Sequence, residues 1–245
     1  MIKQTSNPFI LALKARNLTV EIHQHSAYQI VLSNDTPFNS TISGIFYERI
    51  HGFLIKPHVP HFCIAENGTL NVLNIEPYSH IGLELAGRFK EDQNYIVFNS
   101  PHETNSFFQT QNDSLDVNMV VDAMLSRLPS IDYDARVTRI VEYIKGNYFE
   151  QNITPQTFAD IVFLSPSRLA SLFKKQTGSS LSKYLLWTRL RQAIYLILSD
   201  KDRSLTDIAY DTGFYDLPQF NKYMYEMFGM PPKALKHNSD LIDIY

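Results

Sequence analysis

Short strands dominate the pattern of apolar and polar residues in the first hundred positions. Runs of β-branched and aromatic residues are bounded by turn-forming residues, which is typical of strands. The predicted strands are Thr19–His23, Tyr28–Leu32, Ile42–Phe46, Leu70–Ile75 and Tyr95–Phe98. Several short strands separated by turns predict a small β-barrel or sandwich.

A single amphipathic helix is predicted between this region and the rest of the chain, from Asp116 to Leu128. Its apolar positions recur at helical spacing on one face: Val117, Val120, Val121, Met124, Leu125 and Leu128. This stripe needs a partner, which is either its own domain or a second copy of the chain in a homodimer. Residues 129–134 then have the composition of a linker.

After the linker the apolar period is helical throughout. Ser, Thr or Asp at N-cap positions, prolines in first turns and glycines at helix ends mark the boundaries. The predicted helices are 136–148, 155–162, 166–176, 182–198, one from 205 to Gly213 and one from 217 to Gly229. A pair of short helices with a tight turn therefore occurs twice, at 155–176 and 205–228. The sequence predicts an α+β protein with two helix-turn-helix motifs joined by a long helix.

The distribution of charge supports a division into domains at 1–134 and 135–245. The net charge is only −3, but residues 1–135 hold 8 Lys/Arg against 14 Asp/Glu, a net −6. Residues 136–238 hold 14 Lys/Arg against 9 Asp/Glu, a net +5, and residues 239–245 add −2. Seven of the eight histidines lie in the acidic half. Such asymmetry indicates that the second half binds an anion.

In each predicted helix-turn-helix, the outer face of the second helix carries the side chains that suit DNA. Arginine and lysine contact phosphates, lysine also reaches guanine, and asparagine and glutamine pair with adenine edges. The predicted contacts are Ser167, Arg168, Ser171, Lys174 and Lys175 in the first motif, and Gln219, Asn221, Lys222 and Tyr225 in the second.

The spacing of residues over 136–237 resembles that of AraC/XylS transcription regulators. The matching residues are Leu169-x3-Phe173-Lys174-x3-Gly178, Tyr184-x4-Arg189-Leu190-x2-Ala193, Ile208-Ala209-x3-Gly213-Phe214-x5-Phe220 and Phe228-Gly229-x2-Pro232. The resemblance implies a seven-helix domain whose two recognition helices enter consecutive major grooves of double-stranded DNA. It also implies activation of transcription rather than repression, with RNA polymerase as a further partner. The pair Leu217-Pro218 and the pair Tyr225-Glu226 depart from the pattern. We therefore expect the second helix to read bases over a narrower range and to hold phosphates less firmly.

The acidic half carries two short histidine motifs, His23-x-His25 and the segment from Lys56 to His61. They resemble the cupin-like ligand domain that precedes many AraC-type DNA-binding domains. The resemblance implies that His23, His25 and His61 contribute to a site for a small-molecule effector. Three imidazoles could also hold a metal, but the expected acidic ligand is absent and Gln29 stands near its position. The sequence therefore predicts no metal, cofactor or catalytic residue.

Two other functions remain open at this point: a metal-dependent cupin enzyme with a DNA-binding appendage, and a helical adaptor that no longer binds DNA. Cys63 is the only cysteine, which excludes disulfides within the chain and favours a reducing compartment. We expect it to be a buried, small apolar residue. No segment of the sequence has the ~18 consecutive apolar residues of a membrane span. We therefore expect a cytoplasmic protein that does not contact a membrane.

Overall fold

The computed structural model describes residues 7–17, 19–33, 36–64, 68–110, 117–128 and 133–244. Within these ranges the chain forms ten strands, ten α-helices and one short 3-10 helix, Ser239–Leu241. The strands are β1 Ile10–Arg16, β2 Thr19–His23, β3 Tyr28–Ser33, β4 Phe38–Ile42, β5 Ile45–Ile50, β6 Gly52–Ile55, β7 His61–Ile64, β8 Thr69–Ile75, β9 Tyr95–Phe98 and β10 Ile242–Ile244. The α-helices are α1 His80–Ala86, α2 Pro101–Phe108, α3 Val117–Leu125, α4 Ala135–Asn147, α5 Pro155–Ile161, α6 Pro166–Thr177, α7 Leu181–Ser199, α8 Leu205–Asp211, α9 Leu217–Phe228 and α10 Pro232–His237.

The strands form two antiparallel sheets that share a core, as the strand pattern predicts. The six-stranded sheet has the order β10-β1-β8-β3-β6-β9, and the four-stranded sheet has the order β2-β7-β4-β5. Val31 and Phe53 from the larger sheet pack with Phe38, Ile42 and Cys63 from the smaller one. The first half is therefore a two-layer β-structure whose interior is apolar.

One predicted strand, Ile42–Phe46, is wrong. Ser43 and Gly44 have φ angles of +53° and +81°, so they form the turn of a hairpin between β4 and β5. A backbone with two positive φ angles fits the right-handed twist of a two-residue hairpin, and glycine adopts it without steric cost. The apolar residues on either side belong to two strands, although they look like one run in the sequence.

The helix α3 packs within its own chain. It covers Val117–Leu125 and ends before the predicted Leu128. Val120, Val121 and Met124 are buried in the core that also holds residues of the larger sheet and of α4. Asp116 and residues 129–132, which belong to the predicted helix and linker, lie outside the described residues. The central part of the apolar stripe is thus covered by this chain, and a contribution of the helix to a homodimer stays a prediction.

The seven helices α4–α10 form the second half, with α7 at their centre. Trp187, Leu190, Ala193 and Ile197 of α7 are fully buried. The helix has 19 residues, which at ~1.5 Å per residue gives a length of about 28 Å. The described part of the chain contains no helix that is both long and apolar enough to span a bilayer.

The two halves are joined by strand β10, which pairs antiparallel with β1 at the edge of the six-stranded sheet. The pairing is extended by an ion pair in which Arg16 Nη1 lies 2.7 Å from Asp243 Oδ2. A segment that follows the helical region thus completes the sheet of the β region. The division into domains at residue 134 stays a prediction.

Candidate nucleic-acid interface and histidine cluster

The first helix-turn-helix consists of α5 and α6. Thr154 caps α5 through a reciprocal pair of hydrogen bonds with Thr157, and the Ser165 side chain caps α6. A proline follows each cap in the first helical turn, where its missing N–H costs nothing. On the inner side, Phe158 of α5 and Phe173 of α6 are buried in the core. Caps and core contacts together fix the angle at which α6 leaves the turn.

The outer face of α6 is solvent-exposed at every position that the sequence assigns to DNA. These positions are Ser167, Arg168, Ser171, Lys174 and Lys175. Lys174 and Lys175 lie in the last turn of the helix. None of the three basic side chains is in an ion pair with a described residue. Their charges are therefore available to a polyanion.

The second helix-turn-helix consists of α8 and α9, joined by a turn at Gly213 with a φ of +85°. A Cβ atom at this position would lie 2.6 Å from the carbonyl oxygen of Tyr148, so only glycine fits. Asn221, Lys222 and Tyr225 are exposed on the outer face of α9. Lys222 Nζ lies 3.9 Å from Glu226 Oε1, both largely in solvent. Such an exposed pair is weak and gives way readily to a phosphate.

Gln219 differs from the other predicted contacts because it is half-buried. Its side-chain Oε1 accepts a hydrogen bond of 2.9 Å from the backbone N–H of Tyr215 in the turn. A bidentate contact with adenine uses both the oxygen and the nitrogen of the amide. Gln219 would therefore have to release the turn before it could read a base in that way.

Helix α7 holds the two units at a fixed separation. Tyr184 packs edge-to-face on Phe173 of α6 with ring centroids 5.6 Å apart, and Trp187 packs on Phe228 of α9 at 5.2 Å. The length of α7, about 28 Å, suits two recognition helices placed near one DNA turn of about 34 Å apart. The chain thus presents two recognition helices from one rigid support.

The second predicted site brings together His23, His25 and His61. His23 ends β2, His25 follows it, and His61 begins β7, where it pairs directly opposite His23. One ring nitrogen from each of the three lies within 4.8 Å of those from the other two. The ring centroids of His23 and His61 are 4.2 Å apart, and those of His25 and His61 are 5.1 Å apart. The structure therefore joins the two histidine motifs in one cluster.

All three imidazoles use Nδ1 in the same way. Nδ1 of His23, His25 and His61 lies 2.8, 3.1 and 2.9 Å from the carbonyl oxygens of Glu21, Ala27 and Val59 respectively. A carbonyl can only accept a hydrogen bond, so each Nδ1 carries the proton and each Nε2 has a free lone pair.

Burial is the main cause that lowers the pKa of all three histidines, and it lowers that of His25 to about 3. Repulsion from neighbouring imidazoles in the cluster lowers the pKa of His25 and of His61 further. The three rings are consequently neutral at pH 7.

Comparison with known proteins agrees with the geometry of the helical half. A family model described as "Helix-turn-helix domain" matches residues 158–238. The uncharacterized HTH-type transcriptional regulator YobQ of Bacillus subtilis (strain 168) is 29% identical over 49% of this chain and 47% of its own length. The HTH-type transcriptional activator RhaS of Enterobacter sp. (strain 638) is 32% identical over 44% of this chain and 38% of its own. The probable transcriptional regulator LumQ of Photobacterium leiognathi is 25% identical over 86% of this chain and 89% of its own.

The second half is a helix-turn-helix domain of the AraC/XylS type. The match to YobQ and RhaS spans less than half the length of those relatives and is of a size that fits this domain. The match to LumQ extends into the β region.

The AraC-type domain contacts the histidine cluster directly. The backbone N–H of Ser26 donates to the carbonyl oxygen of Glu226 at 2.8 Å, and Ser26 Oγ donates to Met227 Sδ at 2.9 Å. At the end of α9, Gly229 lies so close to His23 that an added Cβ would be 2.0 Å from His23 Cδ2. The sequence marks Gly229 only as the end of a helix and gives no signal for Ser26, because the contact with the histidine cluster joins segments about 200 residues apart.

A cavity with about 80 Å³ of free space lies at the same boundary. His23, Gln29 and Cys63 line it from the β region, and Met224 and Phe228 line it from α9 of the AraC-type domain. Cys63 is buried, and this raises the pKa of its thiol to about 12. The thiol therefore stays protonated, in agreement with its prediction as a small buried residue.

Proposed function

We propose that this protein is a sequence-specific regulator of transcription that inserts α6 and α9 into two successive major grooves of double-stranded DNA. One observation carries the proposal: a buried central helix holds two helix-turn-helix units whose second helices expose polar and basic faces. RhaS is named a transcriptional activator and the other two relatives transcriptional regulators, which supports the same class of activity here.

The roles of the exposed side chains follow from their chemistry. Arg168, Lys174, Lys175 and Lys222 contact phosphates, which sets the register of the protein on the duplex. Asn221 reads a base in the second groove, and Ser167 and Ser171 contribute weaker contacts in the first. Asn221 can make a bidentate pair with adenine, which discriminates against a wrong base by about 1–3 kcal/mol.

Binding sites selected from random duplex DNA test the proposal. The full chain should enrich a site with two conserved blocks spaced about one helical turn apart, and footprinting should show protection on one side of the duplex. Asn221→Ala should relax the preference in one block only. Lys174→Ala should weaken all sites to a similar degree, whereas Lys90→Ala, which removes an exposed charge from the β region, should change nothing. Failure to enrich any sequence would overturn the proposal.

We further propose that the regulator is an activator whose β region responds to a small effector, with RNA polymerase and a second copy of the chain as further partners. The relative named as an activator supports this direction of control. A promoter fused to a reporter, placed next to the selected site, should gain expression when the protein is present. A loss of reporter expression would instead show that the protein is a repressor.

A further inference from the structure

The histidine cluster contains acceptors that no described residue satisfies. Nε2 of His25 and Nε2 of His61 are buried and have no hydrogen-bond partner. His61 is fully buried and His25 is 2% exposed. An unsatisfied polar atom in the interior costs free energy. Two such atoms within one cluster, with His23 as their neighbour, therefore indicate that something outside the protein chain completes the cluster.

The donor set identifies what kind of group this is. Each Nδ1 is held by a backbone carbonyl, which fixes the ring orientation and leaves Nε2 as the donor atom. Histidines that bind metals have this arrangement, in which the second nitrogen donates to a carbonyl or carboxylate. Among the described residues the cluster includes no carboxylate and no thiolate. A set of imidazoles alone suits zinc and its neighbours in the transition series, and it does not suit magnesium or calcium.

We propose that His23, His25 and His61 bind one divalent transition metal ion of the zinc class through their Nε2 atoms. Three protein ligands leave a fourth position open in a tetrahedral site. Gln29 lies beside His25 and also lines the adjoining cavity. A crevice lined by His25, His58 and Glu226 opens beside the cluster and provides a route for the ion.

The size of the neighbouring cavity favours an ion over an organic effector at this place. Its free space is only about 80 Å³. Pockets for organic ligands of drug size are about 300–1,000 Å³. An ion needs only the space between the three rings.

The position of the cluster links the ion to the second recognition helix. The His23 ring lies against Gly229 at the end of α9, and Ser26 is bonded to Glu226 and Met227 of the same segment. An ion that draws the three rings together moves the surface on which α9 ends. We therefore expect the ion to change the affinity for DNA, and this part alone rests on the proposed function. By linkage, DNA should change the affinity for the ion by the same factor.

Direct metal binding by the full chain tests the site without any DNA. Protein freed of metals by a chelator is titrated with Zn²⁺ against a chromophoric competitor, and with Mg²⁺ in parallel. We expect one Zn²⁺ per chain, with a Kd on the order of 1 μM or less, and no uptake of Mg²⁺. Co²⁺ should give visible absorption bands of a tetrahedral site.

Matched variants locate the ion. His61→Ala and His23→Ala should each weaken Zn²⁺ binding at least about 30-fold, whereas His102→Ala, at an exposed histidine of the same half, should leave it unchanged. The fluorescence of Trp187 shows whether each variant folds. If His61→Ala does not fold, His23→Ala still tests the site, because His23 is only partly buried. No stoichiometric uptake, or uptake that is the same in His23→Ala as in the original chain, would overturn the proposal.

The link to α9 is tested by Gly229→Ala. The new Cβ pushes against His23, so Zn²⁺ binding should weaken about 10-fold. Gly178→Ala is the control and should leave Zn²⁺ binding unchanged. Gly178 ends α6 with a similar φ of +77°, but it contacts Tyr78 instead of the cluster. On a selected DNA site, Zn²⁺ should change the affinity of the original chain at least 3-fold and that of His61→Ala not at all. Equal DNA affinity with and without bound Zn²⁺ would overturn the coupling between the ion and α9, but not the metal site itself. Absence of any DNA binding would overturn the proposed function alone.

Discussion

Arg189 connects α7 to the segment that follows α4. Its Nε donates to the carbonyl oxygen of Tyr148 at 2.8 Å, and its Nη2 donates to that of Glu150 at 2.6 Å. These carbonyls lie just beyond the last turn of α4, where no backbone partner within the helix is available. Burial lowers the pKa of the Arg189 guanidinium, but an arginine in a protein stays charged. Arg189→Met keeps most of the apolar stem and removes both donors.

The loss of stability can be worked from these two bonds. A hydrogen bond from a charged donor contributes about 1.5–3 kcal/mol when it is shielded from water. The bond to Tyr148 is partly buried and falls at about 2 kcal/mol on this scale, whereas the bond to Glu150 is exposed and contributes about 0.5 kcal/mol. A positive charge near the end of a helix adds about 0.5 kcal/mol. We expect Arg189→Met to lower the free energy of unfolding by about 3 kcal/mol.

Urea unfolding followed by tryptophan fluorescence measures this loss, because Trp187 is the only tryptophan and is buried in the same helix. Arg139→Met is the matched control, since Arg139 is exposed on α4 and its change should cost less than about 0.5 kcal/mol. A midpoint for Arg189→Met that equals that of the control would refute the reasoning. A changed slope with urea would show that the variant alters the unfolded state or the cooperativity instead.

Three further predictions rest on the surfaces and buried groups described above. The first concerns salt: four basic residues are expected to neutralise one phosphate each, and they are Arg168, Lys174, Lys175 and Lys222. DNA affinity should then fall about 150-fold between 50 and 200 mM salt. Lys222→Ala should reduce the slope of log K against log salt by about 0.9, and an unchanged slope would contradict the contact of Lys222 with a phosphate. The second concerns Cys63, because burial raises the pKa of its thiol to about 12. At pH 8 a disulfide reagent should modify the folded protein at least about a thousandfold more slowly than the unfolded chain. Equal rates would show that the thiol is accessible. Phe163 has a φ of +54° and is 89% exposed, so Phe163→Gly should raise the free energy of unfolding by about 1 kcal/mol, while Phe163→Ala, which keeps the strain, should not.

Local signals explain why the helical half could be predicted closely. Thr154, Ser165 and Asp216 cap their helices as expected, and the predicted helix limits agree with the structure within about two residues. The β half depends on contacts between distant segments and was harder to predict. Strand β1 has the sequence ILALKAR, whose leucines and alanines favour helices, and it becomes a strand because β8 and β10 pair with it on both sides.

The DNA-binding surface and the histidine cluster also differ in how far the sequence predicts them. Eight of the nine residues predicted to contact DNA are exposed, because a helix of known phase determines which side chains face outward. The contacts that they make with bases stay predictions. The histidine motifs indicate a shared site, but the sequence contains no sign that all three Nδ1 atoms bind carbonyls or that Gly229 lies against His23. These features depend on the packing of α9 against the β region.

The pairing of β1 with β10 has a consequence for the order of folding. Arg16 and Asp243, which are joined across this pair, are 227 positions apart in the sequence, and closing so long a loop is slow until the intervening helices have formed. Until then the outer edge of β1 has unpaired N–H and C=O groups and is open to strands of other molecules. Aggregation during refolding should therefore compete with docking of β10, and it should increase with protein concentration.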